Sequence, residues 1–264
     1  MDRITTGGMS MPKLGLGTWR MKGPDCTDAV QRALGLGYRH IDTAAMYGNE
    51  AEVGEGLRAS GVKRDEIFVT TKVWSSNLRA RDFERSAHDS LKNLKLDSVD
   101  LLLIHWPNSS VPLKETIGAL CKMKRDGVAR HVGVSNFNPA LIEEAKGLAT
   151  EPLVNNQIEL HPYFDQSKTI AASRKAGLSI TAYSPIARGR VKSDAVLSRI
   201  GTAHGKTAAQ VCLRYLVQQD IIVIPKTSRT ERLKENAAIF DFALTAAEMK
   251  DIAALASPHG NIVS

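Results

Sequence analysis

Ile67-Phe68-Val69-Thr70-Thr71-Lys72-Val73 is a short apolar run, Val99-Asp100-Leu101-Leu102-Leu103-Ile104-His105 is a second, and between them Asp82–Leu94 is amphipathic and of helical length. Strand, helix and strand in that order make the unit of a parallel sheet. Its strands are buried on both faces and therefore read as near-continuous Ile, Val and Leu. Working outward, the same alternation fills the chain. With these two, strands are expected at Leu14–Gly17, Tyr38–Asp42, Arg130–Ser135, Leu153–Ile158, Ser179–Ser184 and Ile221–Ile224, eight in all. Helices are expected around Asp28–Leu36, Glu50–Ala59, Leu113–Lys124, Pro139–Leu148, Lys168–Lys175, Ala208–Gln218 and Thr230–Ala238. Gly37, Gly61, Gly127 and Gly177 each follow such a segment, where a helix needs a left-handed terminating residue.

Eight alternations with no break in composition favour one (β/α)8 TIM barrel domain over residues 1–264 rather than a doubly wound open sheet. An open sheet would also want a Gly-rich first turn. Gly15-Leu16-Gly17 does not continue into G-x-G-x-x-G, and no P-loop is present. Ile4–Met11, with Gly7-Gly8 at its centre, reads as an N-terminal β-hairpin. Thr245–Leu255 reads as an extra C-terminal helix, and Arg188–Ile200 as additional loop or helix after the seventh strand.

A length of 264 residues suits one large α/β barrel, and 43% apolar with 24% charged residues is ordinary for a globular protein. No apolar run reaches the length of a membrane span, so no membrane partner is expected. The N-terminal residues lack a signal peptide's apolar core, which points to the cytoplasm. Cys26, Cys121 and Cys212 are odd in number and far apart, as buried free thiols would be. The net charge of +7 is spread over helix faces without aromatic interleaving. That argues against nucleic acid and leaves attraction of a phosphate-bearing ligand. No exposed apolar strip stands out, so a monomer is expected.

A barrel of this kind carries its chemistry at the C-terminal ends of its strands. Read in order, those ends are Trp19, Asp42 with Tyr47, Lys72 with Trp74, His105 with Trp106, Ser135 with Asn136, Gln157, Tyr183 with Ser184, and Lys226. Asp42 and Lys72 come from neighbouring strands. Each would satisfy the other's charge, and by themselves they are equally well read as a staple. Tyr47 adds a reason for the pair. A phenol with a pKa of about 10 is a reluctant acid at neutral pH, and an adjacent ammonium stabilises the phenolate and lowers that value. Asp42 would hold Lys72 charged, and His105 could orient a carbonyl oxygen.

Nothing here serves as a nucleophile. There is no G-x-S-x-G elbow, no H-E-x-x-H and no Cys/His ligand spacing, so no protein-bound metal is expected. A lyase using Lys72 as a Schiff base would want a lysine without a tight carboxylate partner. An acid poised over a carbonyl needs a reductant, which a nicotinamide supplies. Asn136 and Gln157 can hydrogen-bond its carboxamide, and Tyr183 can stack on its ring. Lys226-Thr227-Ser228-Arg229-Thr230-Glu231-Arg232 gathers three cations and hydroxyls just before a helix, a setting for a phosphate monoester.

These residues resemble the aldo-keto reductase family over essentially the whole chain. The matching segments are Leu14–Trp19, Gly37–Ala44, Tyr47–Glu50, Thr71–Trp74, Asp100–Pro107, Gly133–Phe137, Asn156–Glu159, Ala182–Pro185 and Ile224–Thr227. Jointly and in this order they are highly specific. The resemblance implies an NADPH-dependent reductase of aldehydes or ketones, keto sugars or dicarbonyls among them. Tyr47 would be the general acid, tuned by Lys72 and Asp42, with His105 orienting the carbonyl. Ser135, Asn136 and Gln157 would hold the carboxamide, Tyr183 would stack, and Ser184 would reach the pyrophosphate. Lys226, Thr227, Ser228, Arg229 and Arg232 would take the 2′-phosphate side of the adenosine, with Glu235 and Asn236 near the adenine. Thr18, Trp19 and Ile186 would complete the cofactor side. Trp19, Met46, Trp74, His105 and Trp106 would line the pocket for a small-molecule carbonyl substrate. A nucleotide-binding, redox-sensing relative without turnover is the alternative, and the intact Asp42, Tyr47, Lys72 and His105 argue against it.

Within the family the chain most resembles the short bacterial 2,5-diketo-D-gluconate reductase group. The early loops are compact and the catalytic His position is His. Members of that group usually carry a further segment after Asn261–Ser264, which here is absent; a truncated chain or a more open pocket would account for that.

Overall fold

Gly7 and Gly8 both have positive φ, at 54° and 80°, the backbone that a two-residue hairpin turn demands. They join β1 (Arg3–Thr6) to β2 (Met9–Pro12) in the expected antiparallel hairpin. The computed structural model describes residues 2–263; Met1 and Ser264, the two ends of the expected domain and of the C-terminal segment, lie outside the described residues.

Eight parallel strands follow: β3 (Leu16–Gly17), β4 (His40–Asp42), β5 (Phe68–Val73), β6 (Val99–Ile104), β7 (Ala129–Ser135), β8 (Leu153–Glu159), β9 (Ser179–Tyr183) and β10 (Ile221–Val223). Neighbours in sequence are neighbours in the sheet. The sheet closes where Leu14 bridges Val223, with the Gly15 amide donating to Val223 O at 2.9 Å and Val223 to Lys13 O at 2.8 Å. Gly17 lies on this seam, and a Cβ there would stand 2.6 Å from Ile224 O. Helices α1 (Gly23–Gly35), α2 (Glu50–Ala59), α3 (Ala80–Leu94), α4 (Leu113–Arg125), α5 (Pro139–Leu148) and α6 (Ser167–Lys175) follow the first six barrel strands. After the seventh come a short irregular helix over Ala187–Ser193, α7 (Ala195–His204) and α8 (Ala208–Val217). Helix α9 (Thr230–Ala237) follows the eighth strand, and α10 (Ala246–Ala253) is the extra C-terminal helix, opened by a Thr245/Glu248 capping box. The sequence-based (β/α)8 fold and both of its decorations are present.

Alternation along each strand sorts its residues between two cores. Val69, Val73, Leu102, Ile104, Val132 and Val134 face outward into the layer packed by the helices. Phe68, Leu101, Leu103 and Ile222 face inward and pack against Met9 and Met11 of the hairpin, which are fully buried. The hairpin therefore plugs the N-terminal end. Continuing the inward parity of Phe68 leads through Thr70 to Lys72, and that of Leu101 and Leu103 leads to His105. The side chains that chemistry needs thus stand on the open, C-terminal end, each one step above an interior layer.

Candidate active site

Asp42 ends β4 and Lys72 stands near the end of β5, both essentially without solvent exposure. Lys72 Nζ donates to Asp42 Oδ1 at 2.5 Å and to Thr43 O at 2.9 Å, and it lies 3.5 Å from Tyr47 Oη. Gln157 Nε2 donates to the other carboxylate oxygen, Asp42 Oδ2, at 2.7 Å. Asp42 therefore has a donor on each oxygen, as a buried carboxylate requires. Tyr47 sits in the single turn Ala45–Tyr47, ended by Gly48 in the left-handed region at φ 63°. Behind that turn Asn49 accepts from Thr43 Oγ1 and donates to Thr18 O and Met21 O, fixing the Tyr47 turn to the loop after β3.

Burial lowers the proton affinity of Lys72, but the charge of Asp42, the Tyr47 phenol and their hydrogen bonds reverse this, and its net direction is upward. Lys72 is thus held as an ammonium against Asp42, whose own carboxyl is pushed upward by burial while the Lys72 charge and the Lys72 and Gln157 hydrogen bonds act against that. Burial raises the Tyr47 phenol, Lys72 acts against that, and the net direction is also upward. The downward shift expected from the sequence is outweighed by removal of the phenol from water. His105 follows β6 and is lowered to about 3 by burial and then by the Lys72 charge, so it is neutral at ordinary pH. Its ring meets Tyr47 and Trp74 edge-on, at 5.6 and 5.0 Å between centroids. Among the described residues, His105 Nδ1 is buried without a hydrogen-bond partner.

These groups open onto a cleft of about 900 Å³. Asp42, Tyr47, His105 and Gln157 line it, and so do Trp19, Met46, Trp74 and Trp106, the residues expected on the substrate side. At 44% exposure, Met46 is the one large apolar side chain among the described residues that is exposed. Thr18, Tyr183, Ser184, Ile186, Lys226, Thr227, Ser228, Arg229 and Arg232 line the same cleft.

Ser135 and Asn136 lie behind that lining, in a closed network. Ser135 Oγ donates to Gln157 O, Asn136 Nδ2 donates to His105 O and to Ser135 Oγ, and Tyr183 Oη donates to Asn136 Oδ1 at 2.9 Å. Glu235 and Asn236 are not in the lining either. Glu235 accepts from Thr207 Oγ1, turned toward α8, and Asn236 is buried.

Sequence reasoning missed Arg20, Arg188, Gly189 and Lys192, which line the cleft. Arg20 and Arg188 approach the Trp19 ring, 4.3 and 5.3 Å from its centroid. The residue after a strand-end Trp was a usable signal for Arg20. For Arg188 and Gly189 there was no such signal, because the loop after β9 brings them to the cleft through positive φ at Ala187, Arg188 and Gly189, at 46°, 50° and 97°. With Lys226, Arg229 and Arg232 these make six cations on one cleft, and none forms a salt bridge among the described residues.

Known proteins resemble the chain along nearly its whole length. The profile of the Aldo/keto reductase family matches residues 4–257. Methylglyoxal reductase DkgB of Escherichia coli O157:H7 is 41% identical over 250 residues, 94% of each chain. Glyoxal reductase of Bacillus subtilis is 41% identical over 250 residues, 94% of this chain and 90% of its own. Among solved structures, a candidate 2,5-diketo-D-gluconic acid reductase B superposes with a TM-score of 0.98 at 51% identity, over 100% of this chain and 94% of its own. An aldo-keto reductase of Bombyx mori in complex with NADP superposes with a TM-score of 0.93 at 33% identity, over 100% of this chain and 95% of its own. The family profile, the relatives and the fold agree along nearly the full length, and the chain belongs to the aldo/keto reductase family.

Proposed function

We propose that this protein reduces small aldehydes and ketones, 1,2-dicarbonyls among them, with NADPH as reductant. The observation that carries the reading is one cleft with two halves. One half holds a phenol against a buried, carboxylate-held ammonium, and the other gathers six cations that form no salt bridge among the described residues. The donor set fits a polyanionic dinucleotide. Lys226, Arg229 and Arg232 with the hydroxyls of Thr227 and Ser228 would hold a ribose phosphate at the start of α9. Arg20 and Arg188 suit the diphosphate, and Tyr183 offers a ring beside Gln157. NADPH, when bound, supplies hydride to the carbonyl carbon.

The residues of the chain do the rest. Tyr47 Oη gives its proton to the carbonyl oxygen as negative charge builds there. Lys72 then faces a phenolate, and its ammonium stabilises that charge in a site shielded from water. Asp42 and Thr43 O hold Lys72 in place, and Gln157 holds Asp42. His105, uncharged, can donate one hydrogen bond to the carbonyl oxygen without competing as an acid. Trp19, Trp74 and Trp106 present apolar faces to the rest of the substrate. The named substrates of the relatives, methylglyoxal and glyoxal, support the dicarbonyl class.

A carbonyl panel read by absorbance of the reduced nicotinamide tests this. Turnover of glyoxal and methylglyoxal with NADPH, at higher kcat/KM than with NADH, is expected. No NADPH oxidation with any activated aldehyde would sink the proposal.

A further inference from the structure

Glu159, the last residue of β8, takes no part in the acid–base chemistry, yet it is 4% exposed and stands in register with Tyr183. No Lys or Arg pairs with it among the described residues. Its charge is met instead by the C-terminal segment. The Ile262 amide donates to Oε1 at 2.6 Å and the Val263 amide to Oε2 at 3.1 Å, while His161 Nε2 lies 3.0 Å from Oε1. Facing an acceptor-only carboxylate, that ring nitrogen carries the hydrogen.

Two successive backbone amides on one buried carboxylate form a strong clamp. The same segment is fastened further back. Ser257 donates its amide to Tyr163 O at 3.0 Å, and Asp165 donates to Ser257 O at 3.0 Å. Gly260 passes so close that a Cβ would stand 1.7 Å from Tyr163 O. At the end of this path Val263 lines the catalytic cleft.

We propose that Glu159 is a positioning residue: its carboxylate grips the backbone of Ile262 and Val263 and so sets a wall of the cleft that a long carbonyl substrate meets. This rests on the carbonyl-reductase reading above. The wall is contributed by Val263, an apolar residue on a loop segment.

Three measurements on the full chain test it. Glu159→Gln keeps the shape and removes the charge; Gly260→Ala unseats the segment without touching Glu159. Both variants are expected to raise KM for a phenyl-substituted aldehyde on the order of tenfold, the effect of one apolar pocket contact. Both should leave KM and kcat for glyoxal within about twofold, the expectation for a substrate too short to use this wall. Hydrogen exchange at the Ile262 and Val263 amides should accelerate in both variants, a readout that needs no turnover. Equal losses for long and short substrates, or unchanged exchange at those amides, would overturn the assignment. Wild-type protein that reduces neither aldehyde would overturn the reductase reading instead, and the exchange result would then decide the clamp alone.

Discussion

Tyr47 is asked to be protonated before the reaction and stable as a phenolate during it. Burial serves the first demand by raising the phenol, and Lys72 serves the second from 3.5 Å away. The sign of the pH dependence follows. An acid with a raised pKa stays protonated through neutral pH, so carbonyl reduction should hold steady as pH rises and fall only above about 10, the ordinary phenol value. Alcohol oxidation needs the phenolate and should grow over the same range. His105, lowered to about 3, stays neutral from pH 5 upward. Steady-state profiles of kcat/KM should therefore show no inflection near the ordinary histidine pKa of about 6.5. An inflection there, lost in His105→Gln, would mean that the imidazole ionises in the working enzyme.

At the scale of elements, the barrel depends on its seam. The first strand is short, and Gly17 lets it approach the chain after β10 closely enough for its amide to donate to Pro225 O at 3.3 Å. Gly17→Ala would push a methyl to within 2.6 Å of Ile224 O, backbone that cannot swing aside. Overpacking of this kind costs about 1–3 kcal/mol. A lower urea midpoint with an unchanged m-value is expected. Because Thr18 and Trp19 follow directly, weaker NADPH binding should accompany it. Unchanged stability would show that the seam has slack.

The strands and helices themselves were legible. Apolar runs such as Leu101–Ile104 and amphipathic stretches such as Glu50–Ala59 declare their burial directly, and observed boundaries differ from the expected ones mostly at frayed ends, as with β4 starting at His40 rather than Tyr38. The strand-end residues were legible for the same reason: a charged residue on the inward parity of an apolar strand has to be at the open end. What the sequence hid depends on loop backbone and side-chain direction. Arg188 reaches the cleft through left-handed turns at non-glycine residues, and Glu235, near the phosphate cations in sequence, is drawn to Thr207 instead.

For the whole molecule, the barrel closes one end with a hairpin and gathers at the other two halves that no single element contains. The acid–base half comes from β4, β5 and β6 with the turn after β4. The cation half comes mainly from the loops after β9 and β10. Gln157 and Asn49 tie the two halves together through Asp42 and the Tyr47 turn, but the reacting groups and the cations lie on different side chains, so each half should fail alone. Tyr47→Phe removes one oxygen from the acid–base half and touches none of the six cations. Paired measurements on this variant, NADPH affinity by fluorescence titration and glyoxal turnover by NADPH oxidation, separate the two. Affinity within about threefold of wild type and kcat lower by roughly a hundredfold or more, the range lost with a general acid, are expected. A Tyr47→Phe protein that binds NADPH normally and still turns over glyoxal at the wild-type rate would contradict the assignment of Tyr47 as the proton donor.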